Sequence, residues 1–164
     1  MDKKLKDSLS KIKLLICDID GVLTDGSFTK STSGEELRSF NALDGVGFVV
    51  LRLLDLNVKT AWITGRESIT TTQRAEELQI DDVYNGVIRK IDAYIELKKK
   101  YGLSDSEICF IGDDIIDIPI LEKVGLAVTV PNAPKYISCL LYTSPSPRDT
   151  VLSGMPSSAG IEGG

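Results

Sequence analysis

The sequence predicts an α/β fold built on a doubly wound parallel sheet, and three observations carry the prediction. Five apolar runs of strand length alternate with four stretches of helical period. The residues capable of chemistry fall just after the strands. The one break in the rhythm, residues 21–40, has the composition of a hairpin. Alternation implies parallel order because parallel strands need crossovers, and crossover helices cover both sheet faces.

Taken in order, KLLIC (13–17) is short and apolar enough for a buried strand. VLTDGSFTK and STSGEELRSF then read as a β-hairpin flap with its turn at Ser31 to Gly34. In 45–56, Val46, Val49, Val50, Leu53 and Leu54 share one helical face, which predicts a buried stripe. VKTAWI (58–63) is the second strand, followed by a helix from Glu67 to Leu78. DVYNG (82–86) is the third, followed by a helix from Arg89 to Tyr101 that stacks Ile91, Tyr94, Ile95 and Lys98. Gly102 is placed to end that helix as a C-cap. EICFIG (107–112), a short helix from Ile115 to Lys123 and GLAVTV (125–130) complete the set.

Composition narrows the function. With 164 residues, 42% hydrophobic, the chain can form one compact domain but not two ordinary ones. The balance of 19 basic against 24 acidic residues argues against a nucleic-acid partner, which needs a basic patch. No run of about eighteen apolar residues occurs, and MDKKLKDSLSKIK lacks a signal peptide's apolar segment, so the reading is a cytoplasmic chain without a membrane partner. There is no histidine, which excludes Ser-His-Asp and Cys-His nucleophile systems and His-bearing zinc sites. Cys17, Cys109 and Cys139 show no metal or redox spacing and read as buried thiols.

In a doubly wound sheet the ligand site lies beyond the carboxyl ends of the strands. Asp18 and Asp20 end the first strand, Thr64, Gly65 and Arg66 the second; Lys90 follows the third, and Asp113 and Asp114 end the fourth. A D-x-D alone is commonly a solvated turn. Carboxylates converging from successive strand ends, however, need a cation, and a hard divalent ion such as Mg2+ prefers oxygen ligands. Asp18, Asp113 and a backbone carbonyl near Asp20 supply candidate ligands. Asp18 is then a candidate nucleophile toward a phosphoryl group, and Asp20 the acid and base. Thr64 and neighbouring N–H groups would hold phosphoryl oxygens, Lys90 would add positive charge, and Asp117 would orient Lys90 or a metal-bound water.

CDIDGVLTDG, ITGRES, NGVIRK and IGDDIIDIPIL resemble the four signature motifs of the haloacid dehalogenase superfamily phosphatases. With FNALDGVG (40–47), the stretch 13–137 resembles the 3-deoxy-D-manno-octulosonate 8-phosphate phosphatase family. The resemblance implies a Rossmann-like fold of the haloacid dehalogenase type with a hairpin flap. It implies Mg2+ on Asp18, the Asp20 carbonyl and Asp113, with substrate contacts from Asp20, Asn41, Ala42, Leu43, Asp44, Gly45, Arg66, Arg74 and Lys90. It further implies hydrolysis of the sugar phosphate to the free sugar acid, a step toward lipopolysaccharide, by a homotetramer assembled through the flap. Only 45 residues separate Asp18 from Thr64, and 25 separate Thr64 from Lys90, which leaves no room for a cap domain. Two departures bear on this reading. Val49 stands where many relatives carry a basic residue, and the C-terminal stretch diverges. A nonulosonate 9-phosphate phosphatase and a noncatalytic phosphatase-like oligomerisation module are the alternatives.

These readings place a phosphatase domain at 1–138. Residues 139–164, crowded with Ser, Pro and Gly, are expected to be disordered. CLLYTSPSPRD (139–149) resembles a translated frame of a common transposase sequencing adapter, and MPSSA (155–159) one of a flow-cell primer. The expectation is adapter read-through in place of the natural terminus.

Overall fold

The computed structural model describes residues 3–143, apart from 33 and 35, together with 149–152. The chain runs α1 (Lys3–Leu9), β1 (Leu14–Cys17), the hairpin β2 (Thr29–Lys30) and β3 (Glu36–Leu37), then α2 (Ala42–Leu53), β4 (Lys59–Thr64), α3 (Ile69–Leu78) and β5 (Asp82–Asn85). It continues through α4 (Lys90–Tyr101), β6 (Ile108–Ile111), α5 (Ile118–Leu121), β7 (Leu126–Thr129), α6 (Lys135–Thr143) and β8 (Asp149–Leu152). The sheet is parallel throughout, in the order β5-β4-β1-β6-β7-β8. Strand order reverses at β1, which the chain leaves toward β4 and β5 before returning to β6 on the other side.

Side-chain alternation along the strands explains the double winding. Leu14 and Ile16 of β1, Ala61 and Ile63 of β4, and Ile108 and Phe110 of β6 pack with Ala93, Tyr94 and Leu97 of α4 and Ile120 and Leu121 of α5. Cys17 and Trp62 point to the opposite face, against Phe48 of α2 and Ala75 and Leu78 of α3. Cys109, Leu126 and Val128 extend that opposite side, with Leu5 of α1 packed on them. Cys17 pairs in register with both Trp62 and Ile111, so the three central strands end nearly level. Among the described residues the two-stranded hairpin is the sole β insertion into the alternation, and there is no cap domain. No helix among them is long and apolar enough to cross a membrane.

Four details differ from the sequence reading. The hairpin strands are only two residues each, because 19–24 instead folds into a tight turn, with the Leu23 and Thr24 N–H groups donating to the Ile19 carbonyl. Helix α2 starts at Ala42 and buries Gly45 and Phe48, with Val49 partly covered, while Val46, Val50, Leu53 and Leu54 are exposed. Trp62 selects this rotation: Phe48 meets its ring edge-on at 5.6 Å. Helix α4 is likewise turned, burying Lys90, Ala93, Tyr94 and Leu97 and leaving Ile95 exposed. Gly102 does end α4 in the left-handed conformation, φ 64°. Finally, two stretches beyond residue 138 have secondary structure. Residues 139–143 continue α6, because Ile137 and Leu141 sit one above the other and both enter the core. Residues 149–152, with β-branched Thr150 and Val151, pair with β7; the remainder of 139–164 lies outside the described residues.

Candidate active site

Asp18 leaves β1 with its N–H donating to the Ile111 carbonyl, and its carboxylate is buried. Lys90, the first residue of α4, comes from the far side of β4 and is almost wholly buried. Its Nζ lies 2.6 Å from Asp18 Oδ1 and 2.7 Å from Asp117 Oδ1. The rotation of α4 away from its apparent apolar stripe puts this ammonium inside. Asp117 Oδ2 accepts the N–H groups of Asp113 and Asp114 at 3.0 and 3.1 Å, so Asp117 links Lys90 to the loop that carries Asp113. That link passes close to the backbone: a Cβ on Gly112 would lie 2.7 Å from Asp117 Oδ2.

Asp18, Asp113 and Asp117 bring carboxylate oxygens within 4.8 Å of one another. Both oxygens of Asp117 already hold bonds, whereas Asp113 Oδ1 is buried without a hydrogen-bond partner. Burial pushes Asp18 up to about 8 against the pull of Lys90, with Asp117 adding to the rise. Burial, and then Asp117, push Asp113 up to about 6. Burial would depress Lys90, but Asp18 and Asp117 outweigh it and hold the ammonium above the ordinary lysine value. One ammonium thus faces three carboxylates, and the surplus negative charge is what a hard divalent cation neutralises. Gly21 keeps the place open: its φ is 92°, and a Cβ there would lie 2.0 Å from Asp113 Oδ2.

The other expected residues are spread around this cluster. Asp20 is half-buried beside the cluster; its Oδ2 accepts the Thr64 hydroxyl at 3.1 Å, and Thr64 Oγ1 accepts the Arg66 N–H at 3.2 Å. Asn41 caps α2, accepting the Leu43 N–H at 2.8 Å; with Ala42 and Asp44 it lines a cleft of about 440 Å3 closed by the 21–25 turn and Val130–Asn132. Leu43 is exposed and is not among the lining residues, and Gly45 is packed under Arg74, whose guanidinium pairs with Glu77 at 2.8 Å. Arg66 lies 4.0 Å over the Phe28 ring and 3.8 Å from Glu36. Asp114 is exposed and caps the turn at Ile115.

The sequence reading missed Arg38. Its side chain is fully buried, one Nη lying 3.4 Å from Asp20 Oδ1 and 3.1 Å from Glu36 Oε1. The other Nη donates to Thr71 Oγ1 at 2.9 Å. The available signal was period-two alternation counted back from Phe40, which stacks on Trp62 at 6.2 Å and so fixes the inward face of this segment.

Residues 55–139 match the family model of haloacid dehalogenase-like hydrolases. The 3-deoxy-D-manno-octulosonate 8-phosphate phosphatase of Salmonella typhi is 41% identical over 122 residues, 74% of this chain and 64% of that protein. The Yersinia pestis phosphatase of the same name is 42% identical over 76% of this chain and 65% of its own length. The chain therefore matches a little under two thirds of the length of these relatives. Among solved structures, the Yersinia pestis enzyme superposes with a TM-score of 0.81 at 36% identity, over 85% of this chain and 74% of that one. The Moraxella catarrhalis enzyme, determined with magnesium, phosphate and 3-deoxy-D-manno-octulosonate, gives 0.77 at 32% identity, over 82% and 76%.

Proposed function

The chain belongs to the haloacid dehalogenase-like hydrolases, in the 3-deoxy-D-manno-octulosonate 8-phosphate phosphatase family, and from that premise we propose that it is a Mg2+-dependent phosphomonoesterase acting on that sugar phosphate. The observation that carries the reading is the buried Asp18 carboxylate, held by Lys90 at the point where strand order reverses, with an unpartnered Asp113 oxygen beside it.

Asp18, Asp113 and the Asp20 carbonyl would hold the cation, which when bound neutralises charge on the carboxylates and the phosphoryl oxygens. An Asp18 oxygen attacks phosphorus, and the bond to the sugar oxygen breaks, leaving an aspartyl-phosphate. Asp20 gives its proton to the departing alkoxide and then takes one from the water that hydrolyses the acyl phosphate, restoring Asp18. Lys90 favours the ionised form of Asp18 against the effect of its burial and aims it, and Asp117 keeps Lys90 in place. Thr64, Gly65 and Arg66 would hold the phosphoryl group; Asn41, Ala42 and Asp44, which line the cleft, would face the sugar, with Gly45 and Arg74 behind them.

The exposed Phe28 and Leu37 of the hairpin support assembly through the flap, which we read as that of a homotetramer, and the chain is read as cytoplasmic. The phosphatase domain is read as 1–138, and residues from about 139 as adapter-derived. Genomic sequence continuous across that junction overturns the last point. The function is tested by phosphate release from a panel of sugar phosphates with and without Mg2+. Release that depends on Mg2+ and is abolished by Asp18→Asn supports it. Preference for a nonulosonate 9-phosphate reassigns the substrate, and no release from any sugar phosphate favours a noncatalytic scaffold.

A further inference from the structure

We propose that Arg38 is a positioning residue for the acid-base group Asp20, and that through it the hairpin flap sets the orientation of that acid. The proposal rests on the phosphatase reading above.

Asp20 is contacted at both oxygens. Oδ2 takes the hydroxyl of Thr64, at the end of β4, and Oδ1 lies 3.4 Å from the Arg38 guanidinium, which comes from the residue following β3. A hydrogen bond on one oxygen and an ion-pair contact on the other restrain the plane of the carboxyl more than either alone. The Arg38 side chain has no exposed surface, so it cannot itself touch a substrate in the cleft.

Arg38 is also poorly explained as a stabilising group. Its Nε is buried with no partner, and a buried guanidinium left incompletely paired gains little over an apolar residue of its size. What the planar fork does provide is geometry. Its two Nη groups join Thr71 in the first turn of α3, Glu36 of β3 and Asp20, so one rigid group ties a helix, the flap and the acid together. Glu36 also faces Arg66, which stacks on Phe28 just before β2, so both arms of the hairpin are connected to this point.

A positioning role for a general acid has a signature that general loss of structure lacks. An alkoxide leaving group needs the proton, and nitrophenolate hardly does. The experiment compares kcat and KM of wild type, Arg38→Met and Arg38→Lys on the alkyl sugar phosphate and on p-nitrophenyl phosphate, with melting temperatures measured alongside. Arg38→Met is expected to lose about 100-fold or more in kcat on the alkyl ester and under about tenfold on the aryl ester, with KM little changed. Arg38→Lys should recover part of the alkyl rate. Equal losses on both esters, no loss, or a loss carried in KM overturns the proposal. If Arg38→Met does not fold, Arg38→Lys carries the same comparison: a loss confined to the alkyl ester supports the proposal and a uniform one overturns it. Wild type inactive on both esters overturns the phosphatase reading and this proposal with it, whereas active wild type with indistinguishable Arg38 variants overturns this proposal alone.

Discussion

Replacing Lys90 by methionine keeps most of the side chain's length and removes its ammonium from between two carboxylates. Nζ lies 2.6 Å from Asp18 and 2.7 Å from Asp117, and both acids are buried. Stripping one partner from a buried ion pair costs about 3–5 kcal/mol, because the remaining charge is neither solvated nor paired. The cluster has one escape, which is to take up a proton; burial already lifts Asp18 to about 8. Near neutral pH the loss should therefore sit at the lower end, about 3 kcal/mol, which for a chain of this size is a fall in melting temperature of roughly 6–12 °C. The assay is thermal unfolding followed by circular dichroism, in EDTA and again in Mg2+. Because a cation at Asp18 and Asp113 supplies some of the missing positive charge, Mg2+ should raise the melting temperature of the variant more than that of wild type. A loss below about 1 kcal/mol, against the 3 expected from an unpaired buried carboxylate, or an equal Mg2+ effect on both proteins would refute the reasoning.

Gly21→Ala places a methyl 2.0 Å from Asp113 Oδ2 at a φ of 92°, so Mg2+ binding measured by calorimetry should weaken severely; unchanged binding would show that the turn is not what holds Asp113. Glu107 is held down to about 2, first by Lys13 and then by the Ser104 N–H and hydroxyl. A depressed carboxylate stabilises above its ordinary value of 4.5 and loses that contribution as pH falls toward 2. The melting-temperature gap between wild type and Glu107→Gln should accordingly be full at neutral pH and close in acid, and a gap constant across this range contradicts the assignment. Burial raises the Cys17 thiol well above its ordinary value and the Cys109 thiol up to about 12, whereas Cys139 is exposed. A thiol reagent should label Cys139 alone in the native protein and all three after unfolding; rapid labelling of Cys17 or Cys109 in the folded chain would show those strands to be open.

Whatever depends on local pattern was legible in the sequence. Apolar runs marked five of the six strands of the main sheet, and the acids at their ends were readable because a sheet of this type puts its ligand edge there. Rotation was hidden. A helix with apolar residues around more than one face, such as α2, does not announce which stripe goes inward. Phe48 rather than Val46 or Val50 is buried because Trp62 lies opposite, a contact made only by the folded chain. The same rotation in α4 carries Lys90, expected at the site as a positive charge, into full burial as the partner of Asp18. Arg38 was obscured for a related reason: arginine in a hairpin reads as solvated until its neighbour Phe40 is seen stacked on Trp62. The helix at 135–143 was obscured by the Ser- and Pro-rich composition of the adjoining C-terminal residues, although Ile137 and Leu141 carry the spacing of a buried face.

The central pairing of β1 with β6 brings Leu14 beside Ile108 and Cys17 beside Ile111, partners separated by more than half the chain. Such long-range closure is slow to form, since the entropy of the intervening loop must be overcome before any contact repays it. A polypeptide still being synthesised therefore carries Asp18 and Asp20 long before it can oppose them with Asp113 and Asp117. Nascent or truncated forms ending before the sixth strand have the nucleophile's residue but no centre around it, and competence arrives in one late step, when the two halves of the sheet zip together.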